Sequence, residues 1–323
     1  LELRAGARLL MDQVSFRIDK GDKIGLVGRN GAGKTTLTRV LAGEGLPAGG
    51  KVTRSGEIGY LPQDPRTPDM EQLARDRILS ARGLDIAVGK LRVAHEEMAS
   101  DDADVQRKAM NRYDRLESEF LAAGGYAAEA EAAAICSNLA LPDRLLNQPL
   151  KTLSGGQRRR VELARILYSD AETMLLDEPT NHLDADSIAW LRDFLKNHQG
   201  GLIVISHDTE LLEATVNKVF LLDPNRAQID FYNMDWKRYL QQRETDERAR
   251  KRERANAEKK AQVLMDQANK MRAKATKAVA AQNMAKRAER LLGGLEAVRA
   301  TDRVAALRFP DPSPCGKTPL TAD

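Results

Sequence analysis

The 323-residue sequence has little cysteine, few aromatic residues and no long apolar run. Its two cysteines, Cys136 and Cys315, lack the spacing of a metal site or a disulfide framework, which fits a reducing compartment. No stretch approaches the roughly 20 apolar residues of a membrane-spanning helix, and no secretory signal pattern opens the chain. The sequence therefore predicts a cytoplasmic protein that has no membrane segment of its own.

A glycine-rich segment, GRNGAGKTT, follows one apolar run and precedes a stretch with helical spacing. Gly28 and Gly33 lie five residues apart and are followed by Lys34 and Thr35, which matches the phosphate-loop pattern on a strand-to-helix turn. Backbone amides on such a turn approach phosphate oxygens closely, and the helix N-terminus adds a partial positive charge. Lys34 is expected to reach the β- and γ-phosphates and Thr35 to bind Mg²⁺, the alternative being an ordinary glycine-rich turn. The candidate nucleotide-binding residues are Gly28, Asn30, Gly31, Ala32, Gly33, Lys34, Thr35 and Thr36.

Two adjacent acids end a second apolar run, residues 174–176. Because neighbouring side chains on a strand point in different directions, Asp177 is expected to bind Mg²⁺ or its water shell and Glu178 to polarise the attacking water. A third apolar run, 202–206, precedes His207, whose neutral imidazole is expected to hydrogen-bond the γ-phosphate and the water. The alternatives are a solvated acidic turn and an ordinary loop histidine.

With LSGGQ at residues 153–157, these motifs resemble the ATP-binding cassette superfamily over roughly residues 1–240. The resemblance implies an α/β phosphate-loop NTPase core with a helical subdomain, which binds ATP and Mg²⁺. It also implies a head-to-tail pair of cassettes, in which the signature of one contacts the γ-phosphate held by the other. Gln63 follows the strand-like segment 58–61, and by this resemblance it contacts Mg²⁺. The signature residues are Ser154, Gly155, Gly156 and Gln157, and a plain helix cap is the alternative for them.

One position departs from the cassette pattern. Cassettes of this type usually stack adenine on an aromatic residue near the start of the domain, and the matching position is Ala5. A stacking residue supplied from elsewhere and a looser nucleotide preference are both compatible with this sequence, so adenine selectivity stays open.

Between Gln63 and Ser154 the chain is longer than a minimal cassette needs, and residues 84–122 have the spacing of two short helices. One apolar stripe includes Ala94, the other includes Ala109 and Phe120. This helical pair is interpreted as an arm that projects toward a partner, or else as the helical subdomain common to cassettes.

The basic character of the chain is local. Residues 241–300 contain sixteen Lys and Arg against eight Asp and Glu, although the whole chain carries a net charge of +4. This region lacks aromatic residues and proline, which favours a long basic helical hairpin over a packed core. A solvated charged helix is the usual interpretation, but an acid-free cationic tip is typical of a probe for nucleic-acid phosphates. The candidate RNA-binding residues are Lys270, Arg272, Lys274, Lys277, Lys286 and Arg287.

DEPTNHLD at 177–184 and this basic segment resemble the ABC-F group, in which two cassettes on one chain are joined by such a linker. The resemblance implies a translation factor or an antibiotic-resistance protein that protects the ribosome. Such a protein binds ribosomal RNA and peptidyl-site tRNA in the ATP state. Residues 241–305 would be the linker, and 306–323 a coil leading toward an absent second cassette.

A single cassette cannot complete a composite site. The chain is therefore expected to need a second cassette in cis or a head-to-tail homodimer, and to hydrolyse ATP slowly at best by itself. The main alternative function is the ATPase subunit of a membrane transporter with separate membrane chains. A DNA-repair ATPase is disfavoured because all motifs precede the basic segment, and a non-catalytic scaffold because Glu178 and His207 are present.

Overall fold

A computed structural model describes residues 1–64, 69–122, 124–224 and 226–272. It also describes five isolated positions near the C-terminus, which are 282, 283, 286, 287 and 289. The chain divides into two compact units, the first comprising Leu1–Asp246 and the second beginning at Glu247. The predicted coil at 306–323 lies outside the described residues.

Eight strands are present in the described part of the first unit. They are β1 (Leu3–Ala5), β2 (Arg8–Met11), β3 (Lys23–Gly28), β4 (Ile58–Leu61), β5 (Thr173–Asp177), β6 (Gly201–Ile205), β7 (Lys218–Asp223) and β8 (Gln228–Tyr232). Strands β1 and β2 form a separate antiparallel pair. The other six form one sheet in the order β4-β5-β6-β3-β7-β8, which is parallel except for β8 at its edge.

The central strands are apolar on both faces because helices or the β1–β2 pair cover both faces of the sheet. Alternate residues of β5 and β6 therefore enter two different cores. Met174 and Val204 belong to the core that contains the larger set of helices. Leu175 and Ile203 belong to the core beneath β1, β2 and the first helix. The predicted strands at 58–61, 174–176 and 202–206 are thus confirmed as members of one α/β sheet.

The described residues also form ten α-helices and two short 3-10 helices, Ser80–Arg82 and Leu150–Thr152. The α-helices are α1 (Lys34–Ala42), α2 (Ala74–Leu79), α3 (Asp85–Glu97), α4 (Ala103–Ala122), α5 (Gly125–Asn138), α6 (Asp143–Leu146), α7 (Gly155–Tyr168), α8 (Ala185–Asn197), α9 (Thr209–Thr215) and α10 (Trp236–Arg272). Side-chain caps help to set where some of them begin. Asp184 accepts a hydrogen bond from the Ser187 amide at 2.9 Å at the start of α8, and Asp208 caps α9 in the same way.

Helices α3 and α4 pack against each other, as the sequence predicts for residues 84–122. Ala94 and Ala109 are fully buried, so two small side chains permit close approach of the helices. The Arg112–Glu97 ion pair and a ring contact of 6.1 Å between His95 and Tyr113 also join the pair. Whether this pair is an arm for a partner stays a prediction.

Helix α10 begins in the first unit, where Trp236 and Tyr239 are buried in the larger core. In the second unit, its described side chains are mostly polar and exposed. Of the predicted RNA-binding residues, Lys270 and Arg272 end this helix, and Lys286 and Arg287 are exposed. Lys274 and Lys277 lie outside the described residues.

Candidate nucleotide-binding site

The glycine-rich segment forms the turn between β3 and α1. A Cβ atom at Gly28 would lie 2.9 Å from the Leu222 carbonyl oxygen, and one at Gly33 would lie 2.8 Å from Leu10 Cδ1. Gly33 also has φ of 100°, in the left-handed region that side chains disfavour. Gly28 thus needs glycine because a backbone oxygen fills the space, and Gly33 needs it chiefly because of its left-handed backbone.

Gly33 is the N-cap residue just before α1, and it has no side chain with which to cap the helix. The first amides of the helix, those of Lys34, Thr35 and Thr36, therefore point out of the turn as donors for an anion, and the helix dipole favours negative charge there. The loop itself is tight, since the Ala32 amide donates to the Arg29 carbonyl at 3.0 Å. Ala32 is buried, whereas Asn30 and Gly31 lie on the exposed side.

The Lys34 side chain folds back over this loop. Its Nζ donates to the carbonyl oxygens of Gly28 at 2.9 Å and of Arg29 at 3.2 Å. Burial lowers the pKa of Lys34, and the negative charges of Asp177 and Glu178 oppose that shift. A cation beside two carboxylates and a ring of amides forms a site that suits an anion carrying a metal ion.

Thr35 and Asp177 meet directly, although 142 positions separate them in sequence. The Thr35 Oγ1 hydroxyl donates to Asp177 Oδ2 at 2.7 Å. Burial raises the pKa of Asp177, while the Thr35 hydrogen bond and the charges of Arg159 and Lys34 act in the opposite direction. Two hard oxygen atoms from different elements therefore lie together at the carboxyl end of β5, and such oxygens are the donors that Mg²⁺ prefers.

Glu178 follows the last residue of β5 and has a left-handed backbone, with φ of 52°. Such a conformation costs a non-glycine residue about 1–2 kcal/mol. Its amide donates to the Ile205 carbonyl at 2.8 Å, which ties it to β6. The side chain is only 11% exposed, and burial raises the pKa of Glu178. Backbone strain at a buried acid is typical of residues whose direction matters to function.

His207 lies at the end of the neighbouring strand β6. Its Nε2 is 3.5 Å from Glu178 Oε1, and its amide donates to Glu178 Oε2 at 3.4 Å. The imidazole itself is 78% exposed. The two predicted catalytic residues thus face each other, with the acid buried and the histidine open to solvent.

Gln63 reaches the same edge of the sheet through its backbone. It follows β4 after Pro62, and its side chain is exposed. Its carbonyl oxygen accepts a hydrogen bond from Arg159 Nη1, and the other end of that guanidinium binds carbonyl oxygens after β5. The structure therefore brings the Gln63 backbone close to the acids, with Arg159 as the bridge.

Arg159 was missed by motif reasoning, which stops at LSGGQ. A signal was present in the sequence, because Arg159 shares one helical face with the apolar residues Leu163 and Ile166. An arginine on an apolar face is rarely buried without a set of acceptors.

The signature residues form the start of α7. Ser154 Oγ accepts from the Gln157 amide at 3.2 Å, and Gln157 Oε1 accepts from the Ser154 amide at 2.8 Å, which is a complete capping box. Gly155 is exposed, and a Cβ at Gly156 would lie 3.3 Å from His182 Cβ. The helix cap and a phosphate-facing turn are therefore compatible uses of the same residues, and the second stays a prediction.

Ala5 ends β1 and is exposed. Its methyl group offers no aromatic face to a nucleobase. The site therefore has clear candidates for phosphate recognition in the turn before α1, whereas Ala5 offers none for recognition of the base.

Known proteins that resemble this chain are ATP-binding cassette proteins. Two family models, both described as ABC transporter, match residues 11–181 and 222–309. The tylosin resistance ATP-binding protein TlrC of Streptomyces fradiae is 37% identical over 226 residues, which cover 67% of this chain and 40% of that protein. The energy-dependent translational throttle protein EttA of Haemophilus influenzae is 36% identical over 219 residues, which cover 67% of this chain and 39% of that protein. The chain spans about two fifths of the length of these curated relatives.

A solved structure, described as the ATP binding subunit of an ABC transporter, supports the fold alone. It is 19% identical, covers 72% of this chain and 87% of its own, and superposes with a TM-score of 0.52. Across the helices that the structure describes, none combines the length and apolar character needed to cross a membrane.

Proposed function

The chain belongs to the ABC transporter family of ATPases, in its ABC-F group, and from this premise we propose that it is the ATP-hydrolysing half of a protein that acts on the ribosome. The observation that carries the ATPase part is the convergence of Lys34, Thr35, Asp177 and Glu178 at one turn, with a hydroxyl-to-carboxylate contact of 2.7 Å. Two pairs of adjacent residues from distant parts of the sequence meet there, and they offer the cation, the hydroxyl and the carboxylates that phosphoryl transfer needs.

ATP with Mg²⁺ fits this site. The uncapped amides of α1 and the Lys34 ammonium suit the phosphates, and the oxygens of Thr35 and Asp177 suit a small hard cation. Gln63 is proposed as a further Mg²⁺ contact. Bound Mg²⁺ would neutralise negative charge on the phosphate that is transferred.

The chain's own residues then supply positioning and proton acceptance. Glu178 is proposed to orient the attacking water and accept its proton, and a pKa raised by burial makes its carboxylate a better base. His207, within 3.5 Å of Glu178, is proposed to hydrogen-bond the γ-phosphate and the water. Because the imidazole is exposed, it can meet a ligand without any change in the buried acid.

The signature is proposed to serve a second nucleotide site. Ser154, Gly155, Gly156 and Gln157 would contact the γ-phosphate of ATP held by an opposing cassette. The chain is proposed to pair head to tail with a second cassette, either in cis or as a homodimer. A helix N-terminus that begins with Ser-Gly-Gly presents a hydroxyl and unhindered amides to such a ligand.

The ribosome part of the proposal rests on the relatives and on charge. One relative is named for antibiotic resistance and the other for translation, and a family model continues over 222–309. Residues 241–305 are proposed to contact ribosomal RNA and peptidyl-site tRNA in the cytoplasm, chiefly through phosphates. The transporter alternative assigns no role to this segment, and neither relative's name refers to transport.

The test is sedimentation with ribosomes. Glu178→Gln in this chain is expected to bind ATP without hydrolysing it. With ATP present, the variant should pellet with ribosomes, more strongly at low salt than at high salt. Lys34→Ala, which removes the phosphate contact, is the matched variant that should not respond to ATP. If Glu178→Gln pelleted equally with and without ATP, the ribosome proposal would be wrong. A resistance role further requires that expression of the chain raise tolerance to a ribosome-directed antibiotic, whereas a general translation role does not.

A further inference from the structure

We propose that Arg159 is a positioning residue for hydrolysis, which holds the backbone of Glu178 and the Gln63 loop in one arrangement. This inference rests on the proposed ATPase function for the reaction that it serves. The geometry that carries it is independent of that function. It also places the control of the catalytic acid on α7, the helix that begins with the signature.

Arg159 is 6% exposed, and four carbonyl oxygens surround its guanidinium. Nη1 donates to Pro62 at 3.2 Å and also to Gln63, while Nη2 donates to Asp177 at 2.7 Å and to Glu178 at 2.9 Å. These oxygens belong to the loops that leave β4 and β5. Where two parallel strands end and their loops diverge, the hydrogen bonds between the strands stop. Buried carbonyl oxygens at that point need another donor. The planar guanidinium reaches both loops at once, which a lysine ammonium does far less well.

The Glu178 backbone shows why this donor matters. Its left-handed conformation is unfavourable, and such a conformation persists only where the surroundings hold it. The peptide groups of Glu178 are held on both sides, with the amide bound to Ile205 and the carbonyl bound to Arg159. Its carboxylate is bound by the His207 amide. The same carbonyl also accepts a longer hydrogen bond, 3.3 Å, from the Asn181 amide. Removal of the Arg159 contact would leave that carbonyl with this longer bond and would separate it from the Gln63 loop.

Helix α7 joins this clamp to the signature. Ser154 caps the helix, and Arg159 follows within its second turn, so the two lie on one rigid element. In a head-to-tail pair, α7 would face the opposing nucleotide at its N-terminus and its own Glu178 through Arg159. A movement of α7 at the signature would therefore reach the catalytic acid without any other linker.

The test compares arginines on the same helix. Arg159→Gln removes the bridge, and Arg159→Lys keeps the charge with a shorter, single-point donor. Arg160→Gln is the matched control, because Arg160 also donates to carbonyl oxygens, those of Leu139 at 3.4 Å and Ala140 at 3.2 Å. Two readouts are made on this chain: hydrogen exchange of the Glu178 amide relative to the amides of β6, and steady-state ATP hydrolysis.

In Arg159→Gln, the Glu178 amide should exchange about tenfold faster while β6 amides keep their protection. Turnover kcat should fall about tenfold or more with KM changed less than about threefold, because the contact acts on the reacting geometry and not on phosphate binding. Arg159→Lys should recover part of kcat, and Arg160→Gln should change neither readout.

An Arg159→Gln variant that matches Arg160→Gln in both readouts would overturn the proposal. So would equal losses in kcat and in ATP affinity, or general loss of protection in both Arg159 variants, since either result would assign Arg159 to folding alone. If the unmodified chain neither binds nor turns over ATP, the proposed function is in question, and exchange at Glu178 still decides whether Arg159 holds that residue.

Discussion

Two arginine-rich helices of this chain use the same side chain for opposite purposes. In α7, Arg158 donates to the Leu153 carbonyl at 2.7 Å, Arg159 and Arg160 bind other carbonyls, and Arg165 pairs with buried Glu162 at 2.9 Å. In α10, Lys251 and Arg252 are exposed, and Arg254 pairs with Glu258 four residues on. The first helix uses guanidinium groups as internal donors, and the second carries them as solvated charge.

The difference follows from what surrounds each helix. One face of α7 is packed in the larger core, and buried Arg159 there replaces water as the donor to the Asp177 and Glu178 carbonyl oxygens. The Arg254–Glu258 pair of α10 is 42% and 52% exposed, where water screens it. A count of arginines therefore says little about their role until burial is known.

The sharpest contrast is expected for two glutamate-to-glutamine changes. Glu178→Gln removes the proposed base and should lower ATP turnover on the order of 10³-fold, while ATP affinity is kept. Glu258→Gln, the control on α10, should leave turnover unchanged. Measurement of phosphate release and nucleotide binding for both variants checks this. Equal turnover in the two variants would remove Glu178 from the mechanism.

The second largest difference is expected in the free energy of unfolding, between a variant on α7 and a variant on α10. Glu162 receives Arg77 hydrogen bonds at 2.7 and 3.1 Å and is 5% exposed. Glu162→Gln leaves two arginines short of a charged partner and should lower the free energy of unfolding by about 3 kcal/mol. Urea denaturation of this variant and of Glu258→Gln would show the difference. A loss below that of Glu258→Gln would contradict the buried network.

The same network predicts a pH dependence. Burial alone would raise the pKa of Glu162, but the Arg77 hydrogen bonds and the Arg165 charge outweigh it and lower that pKa below 4.5. A lowered folded pKa means that the contribution to stability is complete above about pH 4.5 and is lost as pH falls through the folded value. The difference in unfolding free energy between the unmodified chain and Glu162→Gln should therefore shrink on acidification. A constant difference from pH 7 to acid would refute this assignment.

Substitutions in the basic segment should weaken tRNA binding and leave the free energy of unfolding unchanged. The variant replaces six residues with glutamine, namely Lys270, Arg272, Lys274, Lys277, Lys286 and Arg287. Its tRNA affinity should fall on the order of tenfold at about 0.15 M salt, and the log–log salt dependence should become shallower. Fluorescence anisotropy across a salt series measures both, with ATP affinity as the control. An unchanged salt slope would place the RNA contact elsewhere.

The smallest effect is expected at the exposed pair on α10. Arg254→Gln should change the free energy of unfolding by less than about 0.5 kcal/mol, because an exposed pair gains little over hydrated charges. Arg165→Gln is the comparison on α7 and should cost several times more, since its partner is buried. Equal losses would mean that exposure does not distinguish the two helices.

Local sequence was enough to predict the sheet and the phosphate turn. The apolar runs at 24–27, 58–61, 174–176 and 202–206 became neighbouring strands because parallel strands buried on both faces leave a continuous apolar pattern. Gly28 and Gly33 were recognisable because a side chain has no room at the first and the backbone is left-handed at the second, and residue type records both restrictions. Asp177, Glu178 and His207 could be proposed as candidates because they lie at or just after the ends of strands.

By itself the sequence determined the order of these motifs, the ABC family and the local excess of positive charge, since each depends on neighbours along the chain. Only the tertiary structure decided that Thr35 touches Asp177, that Glu178 is strained and held by Ile205, and that Arg159 bridges two loops. These contacts join residues from different elements. Those of Glu178 and Arg159 are made to backbone carbonyls, which every residue carries and no residue type reveals. Packing selected which arginine of three consecutive ones reaches the catalytic edge.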